Sequence, residues 1–83
     1  MRETMNLDAQ ATVAVIGCGW AGRRHAQAFE QCGARVRWAV DIDGARAEAL
    51  TQRSGQSHTA REARVATDYQ AALDDPEVDA VSI

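Results

Sequence analysis

A-T-V-A-V-I-G-C-G-W-A-G, residues 11–22, is the stretch that decides how this chain folds. It is an apolar run that ends in a glycine-rich turn and opens directly into a helical pattern. Gly17, Gly19 and Gly22 form G-x-G-x-x-G. Each position has a physical reason to be glycine. The first permits the tight turn off a strand. The second leaves the backbone bare enough for a diphosphate to approach. The third lets the helix lie close on the sheet. The unsatisfied amides of the helix start then face the phosphates, and the helix dipole favours their charge. The turn residues Gly17, Cys18, Gly19, Trp20, Ala21 and Gly22 are therefore the expected cofactor-binding set.

The glycines alone also fit a plain strand–turn–helix with no ligand. Their context narrows the reading. A second strand ends on an acid, Asp41, which stands 19 residues after Gly22. This is close to the roughly twenty-residue spacing of a dinucleotide-binding fingerprint. Asp41 would accept hydrogen bonds from the adenosine ribose hydroxyls and repel a 2′-phosphate, and Ile42 beside it offers no positive charge. That favours NAD over NADP. Arg46, one turn into the next helix, could still reach a 2′-phosphate. The rival role for Asp41 is to start a turn.

Outward from this centre, Thr12–Ile16 is continuously apolar, as in a parallel strand covered on both faces. The helix Trp20–Gln31 puts Gly22, His25 or Ala26, Phe29 and Cys32 on its buried face, and Gly33 ends it. Residues 35–41 alternate, with Val36, Trp38 and Val40 on one side. Asp43 is a helix N-cap. A helix over residues 45–53 follows, with Leu50 as its large apolar residue. Residues 55–64 are polar and irregular. A short strand Arg64–Ala66 leads to a helix Tyr69–Leu73 capped by Asp68, and Asp74-Asp75-Pro76 ends that helix. Residues 78–83 form a last apolar strand. Alternating strands and helices predict an α/β fold, a partial Rossmann domain, with four parallel strands in the order 3-2-1-4.

The chain has 83 residues, enough for one small domain, and 46% hydrophobic content marks it as globular. A net charge of −3 without a basic cluster argues against nucleic acid as a partner. Cys18 and Cys32 have no metal-like spacing and read as small buried apolar residues in a reducing compartment. Residues 1–10 read as a flexible leader without a signal-peptide core. No apolar run approaches the roughly 20 residues of a membrane span. The expectation is a soluble cytoplasmic protein.

V-A-V-I-G-C-G-W-A-G-R-R-H-A, W-A-V-D-I-D-G-A-R-A and T-D-Y-Q-A-A-L-D-D-P-E-V-D-A-V-S-I together resemble the N-terminal region of the Gfo/Idh/MocA oxidoreductases. The resemblance runs from Thr12 to Ile83. It implies a nicotinamide dinucleotide cofactor and, in a full-length parent, hydride transfer to or from a sugar, polyol or related small molecule. It also implies a catalytic lysine and a separate substrate domain. This chain contains no lysine, so the expectation is a truncated cofactor-binding portion with no catalytic residue of its own. His25 resembles a histidine common in the family after the glycine turn. It reads either as a packed, hydrogen-bonded residue or as a catalyst. Rival readings of the whole are a non-catalytic nucleotide-sensing module and an inactive fragment. Arg23 and Arg24 stand in the first helical turn, against the dipole, where a nearby anion would offset them. Trp20 could flank the cofactor, Trp38 reads as core, and the Tyr69 ring is expected to pack. The last strand would leave an apolar open edge, which predicts self-association.

Overall fold

The computed structural model describes residues 10–52 and 62–83. The expected leader, apart from Gln10, and most of the polar stretch 55–64 lie outside the described residues. The described chain runs β1 (Thr12–Ile16), α1 (Trp20–Gln31), β2 (Arg35–Val40), α2 (Gly44–Gln52), β3 (Arg64–Ala66), α3 (Tyr69–Leu73) and β4 (Ala80–Ser82). The four strands are parallel, in the order β3-β2-β1-β4. This is the α/β order the sequence predicts. β2 and β3 fill one side of β1 before β4 takes the other.

Both faces of the sheet are covered. Val13 and Val15 of β1 pack with Ala26, Val36, Ala39 and Leu50 beneath α1 and α2. Ala14, between those valines, packs on the opposite face with Val40 and Ala72, where Trp38, Val78 and Val81 complete the layer. That alternation explains why β1 is apolar throughout: Val13, Ala14 and Val15 are all at most 2% exposed.

α1 starts at Gly19 without a side-chain cap. It ends in a Schellman arrangement, in which the Gly33 amide donates to Glu30 O at 3.0 Å and the Ala34 amide to Phe29 O at 2.9 Å. Gly33 takes φ +90° there, a conformation that strongly favours glycine. Asp43 caps α2 as expected, its carboxylate accepting the Ala45 amide at 3.0 Å. Asp68 caps α3 through the Gln70 amide at 2.9 Å.

Three expectations need correction, and one open alternative, His25 or Ala26, resolves to Ala26. Cys32 is exposed, because it is the C-cap of α1 and the chain turns outward at Gly33. On α1, Ala26 is buried while His25 is exposed. Steps of four and three residues from Gly22 lead to Ala26 and Phe29. In β2 the register slips against β1: Val13 pairs with Val36 but Ala14 with Trp38. The slip is a bulge. Val36 therefore faces α1 and α2, while Trp38 and Val40 face the other layer. The last strand is shorter than residues 78–83. Val78 and Asp79 precede it, and Ile83 beyond it is 94% exposed.

Arg37 and Trp38, brought together by the bulge, both donate to one Asp75 oxygen, Trp38 Nε1 at 2.7 Å. This fastens the α3–β4 connection to β2. Thr12 and Asp79 fasten β4 to β1 twice over. The Asp79 amide donates to Thr12 O at 2.7 Å, and the Thr12 amide to Asp79 Oδ2 at 2.8 Å.

Candidate cofactor site

The carboxyl end of β1 is where the fold leaves backbone uncovered. Gly17 adopts φ +91°, and its amide donates to Val40 O at 2.7 Å. The turn is thereby closed onto β2. Gly22 then sits so near the turn that a Cβ there would lie 1.8 Å from Gly17 O. Only glycine permits this crossing. Gly19 differs: its backbone is extended at φ −77°, and a Cβ would meet nothing within 4 Å. Its surroundings in the protein do not require glycine.

Asp41 is tied to the same turn. Its Oδ2 accepts the Cys18 amide at 2.8 Å and its Oδ1 accepts the Asp43 amide at 2.8 Å. The Cys18 amide, helped by the Asp43 amide and by Arg46, holds this carboxyl below the ordinary carboxylate range, against the opposing effect of burial. Asp41 is therefore an anion at neutral pH. A carboxylate offers about four lone-pair positions, so acceptor capacity remains after both amides are satisfied. The side chain of Arg46 is 65% exposed and lies 3.7 Å from Asp43. Ile42 is 94% exposed.

Cys18 contributes no chemistry through sulfur. Burial, with the Asp41 charge beside it, pushes its thiol up to about 11, opposed by a hydrogen bond to Val40 O. The thiol stays protonated at neutral pH and is not a nucleophile. The amides of Trp20, Ala21 and Gly22 belong to the first turn of α1, which has neither a capping side chain nor an acid. Trp20 is 69% exposed, and the Arg24 guanidinium stands 5.0 Å from its ring centroid.

Two clefts flank the turn and share Ile16 and Gly17. One, of about 190 Å³, lies on the β2 side, with Asp41, Ile42, Thr67 and Tyr69 among its walls. The other, of about 320 Å³, lies on the β4 side, with Gly19, Trp20, Ala21, His25 and Ile83. His25 is exposed there, its Nδ1 2.7 Å from Ser82 Oγ. Tyr69 is 54% exposed and lines its cleft rather than the core. Thr67, Tyr69 and Ile83 were not singled out as site residues from the sequence. A signal for two of them exists. Thr67 directly follows β3 and Ile83 directly follows β4, and ligands of open α/β sheets sit at the carboxyl ends of strands.

Among the described residues, no group of three His, Cys, Asp or Glu side chains could hold a metal ion. None of their helices is long and apolar enough to cross a membrane. The model of the Gfo/Idh/MocA oxidoreductase family, with its NAD-binding Rossmann fold, matches residues 11–83. No curated protein matches the chain significantly. Among solved structures, myo-inositol dehydrogenase from Lactobacillus casei, in complex with NAD(H) and myo-inositol, is similar at 35% identity with a TM-score of 0.73. The similarity covers 87% of this chain and 20% of that one. The chain thus spans about a fifth of that dehydrogenase's length.

Proposed function

The chain belongs to the Gfo/Idh/MocA oxidoreductase family, and we propose that it is the portion of such an enzyme that binds and orients NAD. The observation that carries this reading is the hydrogen bond from the Cys18 amide to Asp41. It fixes the acid of β2 against the glycine turn, so anion-binding amides and a ribose-binding carboxylate form one site. In this reading the first-turn amides of α1 hold the diphosphate, over a bare Gly19. Asp41 grips the adenosine ribose, and the cleft with Ile42 and Tyr69 receives the adenosine half. The cleft toward β4 receives the nicotinamide half.

The anionic Asp41 disfavours a second negative charge at the ribose, which supports NAD over NADP. Bound NAD supplies hydride transfer; this chain supplies binding and orientation. The family and the myo-inositol dehydrogenase likeness support a polyol, sugar or related substrate for the enzyme to which this portion belongs. With no lysine among its 83 residues, the chain does not itself furnish the catalytic lysine the family resemblance implies.

Calorimetric titration with NADH and NADPH tests the reading. NADH should bind more tightly. Asp41→Ala should weaken NADH about tenfold or more, the scale of a lost hydrogen bond to a charged group. Gly19→Val should abolish measurable binding. Unchanged affinity in both variants rejects the assignment.

A further inference from the structure

Trp20 is an exposed tryptophan at the first position of α1, and nothing in the binding of a diphosphate by backbone amides calls for it. It is 69% exposed and forms part of the β4-side cleft. A large apolar ring left to water at the wall of a cleft favours an occupant that covers it. The ring is also braced. Arg24, one turn further along α1, stands with its guanidinium 5.0 Å from the indole centroid, within the range of a cation–π contact. The first turn of α1 contains no acid that would compete for the Arg24 guanidinium.

The position of the ring selects which part of a dinucleotide it meets. Asp41 and Ile42 lie in the cleft on the far side of Gly17, and the acid of this fold type takes the adenosine ribose. Trp20 lies on the other side of the turn, with His25 and Ile83. We propose that Trp20, braced by Arg24, is a positioning residue for the nicotinamide half of the cofactor, its indole forming the side wall of the β4-side cleft. The inference rests on the proposed NAD site and adds to it a residue that the glycine fingerprint does not specify.

The test compares two ligands on the whole chain. NADH carries the nicotinamide half, and ADP-ribose lacks the ring. Trp20→Leu is expected to weaken NADH about tenfold, the scale of one aromatic stacking contact, while ADP-ribose affinity stays within twofold. Trp20→Phe, which keeps an aromatic face, should recover most of the NADH affinity. Equal losses for both ligands, or no loss for either, would overturn the assignment of Trp20. Asp41→Ala separates this failure from failure of the site itself, because it should weaken both ligands. Wild-type chain that binds neither ligand overturns both the site and the role of Trp20.

Discussion

Gly19 and Gly22 belong to one turn yet are glycine for opposite reasons. At Gly22 the reason lies inside the protein, since an added Cβ would sit 1.8 Å from a backbone oxygen that cannot move aside cheaply. Gly22→Ala should destabilise the fold by about 3 kcal/mol, at the upper end of overpacking costs, read as a shift of the urea midpoint. At Gly19 the added atom meets open space. Gly19→Ala should leave that midpoint nearly unchanged while weakening NADH. A large stability loss at Gly19 would mean that its bareness serves the fold after all. The order of the motif already assigns the open backbone to Gly19 and the close packing to Gly22, and the distance at Gly22 bears out the second assignment. Asp41 was legible from its spacing to Gly22. Its bond to the Cys18 amide was not, because that contact depends on how β1 and β2 are aligned.

At the scale of elements, the boundaries of α1, β3 and α3 could be read from caps and breakers close in sequence: Gly33, Asp68 and the Asp74-Asp75-Pro76 run. The faces of β2 could not. Strict alternation put Val36 with Trp38, but the bulge reverses that pairing, and a bulge is set by the partner strand. The same bulge brings Arg37 and Trp38 to Asp75, which is only 9% exposed at its side chain. The bond from Arg37, then those from the Glu77 amide and Trp38, hold the Asp75 carboxyl at about 2. An unfolded aspartate titrates near 4. A carboxyl depressed in the folded state stabilises it above the unfolded value, and this contribution disappears as pH falls through the folded one. Stability should therefore decline from about pH 5 toward pH 2, and Asp75→Asn should flatten that decline. Urea midpoints measured across the range for both proteins check it; parallel curves would refute it. Asp68→Ala should remove about 1 kcal/mol through loss of the α3 cap, also visible in the urea midpoint at neutral pH.

For the whole molecule, strand order was legible because alternating strands and helices leave few right-handed arrangements. The reach of each edge strand was less so. β4 contributes only Ala80–Ser82 to the ladder; at its start the Thr12 amide bonds the Asp79 side chain and no backbone carbonyl of that segment. β3 and β4 stand at the two edges of the described sheet. Open strand edges recruit other chains, so the 83-residue chain is expected to self-associate. Size-exclusion chromatography with light scattering checks this, and a monodisperse monomer would count against it. The clasp between Thr12 and Asp79, separated by 67 positions, has a consequence for biosynthesis. β1 leaves the ribosome ahead of β2, β3 and β4, yet its second flank is completed only by β4. Vectorial folding must hold a strand of valine, alanine and isoleucine half-paired while the 67 positions up to Asp79 are translated, which makes the nascent polypeptide a natural client for chaperones that bind extended apolar segments.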